Sequence, residues 1–398
     1  MCKSIFQDGP ARRQVRRNQS TMGSTVAPTR RTGLDRWLAV FACVILCMAS
    51  CSPRPGQAVG AHSERPFYAG RSLELLVPYA TGGGTDLQAR FMTPYLRKYI
   101  AGNPRIQVVN VPGADGVIGL NKFALTQPHN GDSAIFGTGA GSLLYLLREP
   151  GVRYDLRKFV PALAVPGGDV FYVSPSTGVK KPADLLRPNQ PLRLAAAMPV
   201  GGDTLALVAL KLLGVKAQAI MGYEGKGRAR VAFEQGETNL DYQSTTSYLM
   251  NVTTLVERGQ AVPLFTTGLM KGGQLLRDPV FPHLPTVGEA YEEMYGGKPA
   301  GPAWEAVKAL VTTVNTMQKI LWFHADAPPE AVEAVRAAAA KMAQDPQFLR
   351  EGMKIMGDYR LVFGEDLDVQ FHALLNTPVG AGDWILQFLI QDYGVTPR

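Results

Sequence analysis

From residue 67 onward the chain alternates two kinds of pattern. Short strand candidates, most of them apolar on successive positions and followed by Gly or Pro, fall at 73–77, 106–111, 134–136, 170–173, 192–196, 217–221, 240–243, 263–267 and 320–324. A run that is apolar on successive positions describes a strand covered on both faces, so these segments predict mostly parallel sheets flanked by helices. Between them lie stretches of helical period at 86–100, 116–126, 142–148, 204–213, 228–235 and 247–258. Pro94 interrupts the first and predicts a kink. Pro328-Pro329-Glu330 opens a further helix, because prolines suit a first turn and residues 331–343 are alanine-rich. Another helix follows at 346–356.

Two junctions stand out. After the first strand come Pro78, Tyr79, Ala80, Thr81, Gly82, Gly83, Gly84, Thr85 and Asp86; after the second come Pro112, Gly113, Ala114, Asp115 and Gly116. Each puts bare backbone N–H groups and a helix N-terminus at a strand end, where a small anion can sit. Glycine lets the ligand approach the backbone without a Cβ in the way. The candidate ligand contacts are Tyr79, Thr81, Gly82, Gly83, Gly84, Thr85 and Asp86 in the first loop and Ala114, Asp115 and Gly116 in the second. Thr138, ending the third strand, joins them. The plainer alternative is a tight turn with Thr85 or Asp86 as helix cap. Four or five hydrogen bonds to a charged solute, at about 1.5–3 kcal/mol each less ordering costs, reach the ~8 kcal/mol of a micromolar ligand. Neither loop holds an obvious nucleophile or base. The reading is a binding protein, with no catalytic residue and no cofactor.

The 398 residues, 46% of them hydrophobic, suffice for two domains with their own cores. The net charge of +8 suggests nucleic acid at first sight. Residues 1–50, however, carry eight basic side chains against Asp8 and Asp35, so most of the excess lies there and nucleic acid is discounted. Cys2, Cys43, Cys47 and Cys51 are the only cysteines, so nothing after Cys51 can form an internal disulfide. Arg30, Arg31 and Arg36 precede a nearly wholly apolar stretch, 37–49, too short to span a bilayer comfortably. Met48-Ala49-Ser50-Cys51 reads as a lipobox that marks Cys51 for lipidation; cleavage near Val59-Gly60-Ala61 is the alternative. Residues 1–50 are then the leader and 51–66 a flexible tether.

Other chemistries fit poorly. Gly137-Thr138-Gly139-Ala140-Gly141 follows a strand but lacks the third glycine of a dinucleotide fingerprint. His62, His129, His283, His324 and His372 show no paired ligand spacing, so no metal site is expected. There is no GxSxG elbow.

The junctions carry a resemblance over residues 67–371. The chain resembles the solute-receptor family of tripartite tricarboxylate transporters, the Bug or TctC-like proteins. Leu76-Val77-Pro78-Tyr79 with Gly82 to Asp86, then Ala89-Arg90 and Pro94-Tyr95-Leu96, match the first strand, loop and helix. Pro112-Gly113-Ala114 with Gly116 and Ile118-Gly119 match the second loop. Tyr154-Asp155-Leu156 through Pro161 fits the family's YDP…DF.P segment. Gly222-Tyr223-Glu224-Gly225 stands where PYKG is usual, and Leu284-Pro285-Thr286-Val287-Gly288-Glu289 matches VPTLAE.

The resemblance implies a two-domain periplasmic-binding-protein clamshell of type II-like α/β fold, closing on a carboxylated solute. The expected division is 67–168 plus 320–398 for domain 1 and 169–319 for domain 2. The second domain's counterpart loop is Gly201, Gly202, Asp203 and Thr204, with Asp203 as ligand contact or helix cap and Tyr223 as cleft wall or core. The implied partners are a small carboxylated or amino-carboxylated solute and integral-membrane transporter subunits, for a monomer in the periplasm, attached to a membrane through its N-terminal lipid. The chain departs from the family pattern at Asp115, Asp203 and Thr245. Two carboxylates near an anion site argue for a solute with fewer negative charges or an amino group. Residues 299–317 read as a helix longer than the family's. A membrane-tethered sensory module and a scaffold that binds nothing are the alternatives.

Overall fold

The computed structural model describes residues 65–376 and 380–396. The leader, Cys51 and all but the last two residues of the tether lie outside the described residues. Among the described residues no helix is long and apolar enough to cross a membrane.

The first lobe is built on a six-stranded sheet of order β13-β4-β12-β3-β1-β2. Its strands are β1 (Ser72–Val77), β2 (Arg105–Asn110), β3 (Ser133–Thr138), β4 (Phe159–Val165), β12 (Lys319–His324) and β13 (Val362–Phe363). The second sheet has order β7-β6-β8-β5-β9. It comprises β5 (Asp169–Val173), β6 (Leu192–Ala195), β7 (Ala217–Ile220), β8 (Leu240–Ser244) and β9 (Val262–Thr266). At the middle of the first sheet every residue of β3 and of β12 is buried. Residues 166–168 lead from β4 into β5, and residues 316–318 lead back into β12.

The sheets are mixed rather than mostly parallel. β1 runs parallel to β2 and β3, and β6 to β7 and β8, as strand–helix–strand crossovers require. The strands that follow the two crossings run against their neighbours: β5 against β8 and β9, β12 against β3 and β4. They enter their sheets from the other lobe, so no crossover helix sets their direction.

Helices cover the sheets. α1 (Gly84–Tyr99) passes through Pro94 without ending, and α2 (Val117–Thr126) and α3 (Gly139–Leu146) follow β2 and β3. α4 (Thr204–Leu212) and α5 (Lys226–Glu234) follow β6 and β7. The stretch after β8 is α6 (Thr245–Ser247), a wide π turn (Tyr248–Val252) and α7 (Thr253–Glu257). Further on, α8 (Val287–Tyr295) is followed by α9 (Pro302–Leu310), which opens into a second π turn (Val311–Asn315). The segment expected as one long helix over 299–317 is thus this α9 and π turn. Its apolar side, Ala306, Val307, Leu310 and Val311, is buried in the second lobe's core.

α10 (Pro329–Met342), α11 (Pro346–Gly352) and α12 (Gly364–Leu375) contribute buried side chains to the first lobe, Val335, Phe348 and Phe371 among them. The last helix, α13 (Gly380–Tyr393), behaves otherwise. The sequence assigns 320–398 to one domain, but Ile385, Phe388 and Leu389 are buried in the cluster that holds Leu207, Leu210 and Leu310 of the second lobe. The apolar stripe of α13 finds its complement there, on α9 and α4.

Candidate functional site

Between the lobes lies a cavity of about 100 Å³. Four helices point their N-termini at it: Gly84 and Thr85 of α1, Ala140 of α3, Gly202 just ahead of α4, and Gly225, Lys226 and Gly227 at α5 line its wall. None of the four has a side-chain cap. The first-turn N–H groups of a helix have no partner within it, and the helix dipole adds partial positive charge there.

The loop before α1 is held from behind. Asp86 is buried at 1% exposure and accepts from Gly82 N at 2.9 Å, Arg90 Nε at 2.9 Å and Asn110 Nδ2 at 2.9 Å. Arg90 and the other donors hold its carboxyl below the usual range against the opposing effect of burial. Asp86 therefore shapes the loop and does not face the cavity. Gly84 meets the opposite lobe: a Cβ there would lie 2.6 Å from Ser244 Oγ. Nearby, Thr246 Oγ1 donates to Gln88 Oε1 at 3.1 Å. The lobes are closed on each other along this edge.

The second loop is wound in the left-handed region over four residues, Gly113 (φ 128°), Ala114 (46°), Asp115 (49°) and Gly116 (96°). At Gly116 any Cβ would also press on the Tyr79 ring, 3.0 Å from its hydroxyl. The turn delivers the Asp115 carboxylate across the cleft, where it accepts a hydrogen bond from Gly202 N. A Cβ at Gly201 would stand 2.4 Å from that carboxylate. The second lobe's nest is therefore occupied by the protein's own carboxylate. Removal from bulk water, and secondarily Asp203, pushes Asp115 up to about 7.

Asp203 is neither helix cap nor cavity wall. Its carboxylate turns back to accept from Ala197 N at 2.7 Å and Tyr242 OH at 2.6 Å. Thr204 staples the same loop, accepting from Gly201 N and donating to Pro199 O, both at 2.9 Å. Tyr223 lines an outer groove together with Ala114 and Gly116, and its hydroxyl donates to Glu237 at 3.1 Å. The central cavity takes Tyr79, Gly83, Gly84, Thr85, Asp115, Thr138 and Gly202 from the sequence-derived set. Tyr79 and Thr138 join hydroxyls at 2.7 Å. Thr81, Gly82, Asp86, Gly201, Asp203 and Thr204 line neither space.

Sequence reasoning missed the charged part of the wall: Asp169, Lys226 and Lys319, with Tyr242, Ser244 and Gln318. A polar residue opening an otherwise apolar strand, as Lys319 opens β12 and Asp169 opens β5, was the available signal. Lys226 lies 3.2 Å from Asp241 and 3.7 Å from Asp203, with its ammonium 3.6 Å from the centre of the Tyr242 ring.

The structure also gathers His129, His324 and Asp326, which the sequence scatters. The two imidazoles are stacked, centroids 3.6 Å apart, and His324 Nε2 is bonded to Phe123 O at 3.0 Å. Lone pairs lie in the ring planes, so rings stacked face to face cannot both aim at one ion without tilting. Asp326 meets His129 Nδ1 at 2.8 Å, a contact that organises the pair without metal.

Two α/β lobes, crossing strands and a small cavity between them define the class by fold: a two-lobed solute-binding-protein architecture. In structure the chain is similar to the periplasmic binding protein BugD, with a TM-score of 0.60 and 22% identity over 82% of this chain and 99% of that one. It is similar to MatC from Rhodopseudomonas palustris with bound malate, at 0.60 and 18% over 79% and 99%. It is also similar to R. palustris Rpa4515 with adipate, at 0.60 and 22% over 82% and 99%. At these identities the likeness is one of fold. No protein-family profile matches the chain, and no curated protein matches it in sequence.

Proposed function

We propose that this chain is a solute receptor of the tripartite tricarboxylate transporter type. It captures a small carboxylated solute in the interlobe cavity and presents it to membrane transporter subunits, without catalysis. The observation that carries the reading is the convergence of three uncapped helix N-termini, those of α1, α3 and α5, on one cavity, the amide ahead of α4 being taken by Asp115. An anionic group placed there meets N–H donors that no side chain has claimed. The malate and adipate bound by structurally similar proteins support a carboxylated solute. The cavity volume suits a small solute, well below the 300–1,000 Å³ usual for drug-sized ligands. In this reading the chain works in the periplasm as a monomer, attached to a membrane through lipid on Cys51.

The test is thermal denaturation of the full chain against di- and tricarboxylates, amino acids and aromatic acids. A solute at 100 times its Kd adds ~2.7 kcal/mol, a rise of several degrees in Tm. A protein that unfolds cooperatively yet responds to no carboxylated compound would overturn the receptor reading. With a solute in hand, loss of its uptake on deletion of the gene supports the transport role. Normal uptake with altered transcription would replace that role by sensing.

A further inference from the structure

We propose that the solute is a small zwitterion, with its anionic group on Lys319 and its ammonium group on Asp169. This rests on the reading that the cavity takes a solute, and it deepens that reading. The two residues open β12 and β5, the strands that follow the two crossings between lobes, and both line the cavity. Lys319 is 5% exposed. Its ammonium has three donors to place and makes one long contact, 3.5 Å to Gln318 Oε1. Among the described residues no carboxylate lies within 4.0 Å of it. Burial draws Lys319 down to about 8, with Asp169 acting the other way. Asp169 has its main chain fully engaged with Thr267, at 2.9 Å in both directions, while its carboxylate accepts no hydrogen bond among the described residues. Withdrawal from bulk water raises it to about 6, opposed by Lys319 and Lys226.

The other charges of the site are committed. Asp115 holds Gly202 N. Asp203 holds Ala197 N and Tyr242. Asp241 receives Tyr172, Gln243 and Lys226. Glu224, at the mouth, is exposed to solvent. What remains is a cation and a carboxylate facing one small space without an ion pair between them. A buried charge is costly until it is paired. A molecule with both charges pairs both. A dicarboxylate would set its second charge against Asp169, and a diamine would set one against Lys319.

Calorimetric titration of the full chain with matched pairs decides it: glycine against acetate, L-alanine against propionate and L-aspartate against succinate, with 1,4-diaminobutane as the dication. The expected result is at least one amino acid bound about ten-fold or more tighter than its partner lacking the amine. Asp169→Asn should lose about ten-fold for the amino acid and leave the amine-free acid unchanged or tighter, and Lys319→Met should weaken both. Should either variant fail to melt cooperatively, the wild-type pairs decide alone. Succinate or another amine-free acid binding as tightly as its amino partner would overturn the zwitterion and leave the carboxylate receptor standing. Heat from none of the acids would overturn both readings.

Discussion

The two lobes carry the same device, a strand end, a glycine-bearing loop and a helix N-terminus, and use it in opposite ways. Ahead of α1 the device is open: Gly84 and Thr85 face the cavity, and the loop is tied from behind by Asp86. Ahead of α4 it is filled, because Asp115 reaches across and takes the Gly202 amide. A backbone nest recognises a carboxylate without regard to whether a solute or the chain supplies it. The open nest is where the proposed solute would sit. The filled nest joins the two lobes through the Asp115 carboxylate. The positive φ of Ala114 and Asp115, worth about 1–3 kcal/mol of strain each, is the cost of aiming that carboxylate.

The largest expected effect comes from obstructing the open nest. Gly84→Val drives its branched side chain into Ser244 and Ser247 and holds the lobes apart. Solute affinity should fall at least about 100-fold, with an increased radius of gyration in solution scattering and near-normal circular dichroism. Unchanged affinity would show that closure does not need this contact. Next is Asp86→Ala, which removes the acceptor of the part-buried Gly82 N–H and of Arg90 Nε, and one of the two acceptors of Asn110 Nδ2. A loss of about 2–3 kcal/mol in urea unfolding is expected; Asp86→Asn, keeping an acceptor oxygen, should lose less.

The smallest effect concerns the filled nest. Burial, and secondarily Asp203, pushes Asp115 from the ordinary carboxylate range up to about 7 in the fold, so the folded state holds its proton more tightly. The stability this gives is fully present below about 4 and is lost as pH rises through about 7. Asp115→Asn keeps an oxygen for Gly202 N and removes the titration. At pH 7.5 it should match or exceed the parent by about 1–2 kcal/mol, and its stability curve should be flatter between pH 4 and 7. A curve parallel to the parent's would place the titration elsewhere.

Much of the architecture was legible in the order of residues. All nine candidate runs became strands: those buried throughout, such as β3 and β12, cannot hide their composition, and the edge strands β2 and β7, with no fully buried residue, still keep an apolar pattern. β4 escaped notice because Pro161 stands inside it; the β12–β4 register shifts by one residue between Leu321 and Trp322, beside the proline, so its missing N–H is tolerated. The small hairpin of β10 (Leu269–Lys271) and β11 (Gln274–Leu276) turns on Gly272-Gly273, both at positive φ, a short-range signal that was there to read. α8 was equally available, since Thr286 and Glu289 form a reciprocal capping box at its start.

The sequence by itself determined the α/β class, the strand positions and the places where bare amides gather at strand ends, because those follow from period, glycine and helix N-termini. Only the tertiary structure decided which of those amides remain for a solute. Asp115 and Gly202 are 87 positions apart, and Lys319 and Asp169 meet at the cavity only through the two crossings. Periodicity reports whether a side chain is buried; which charge or amide it finds there is set by contacts between distant segments, and so appears only once the lobes are closed.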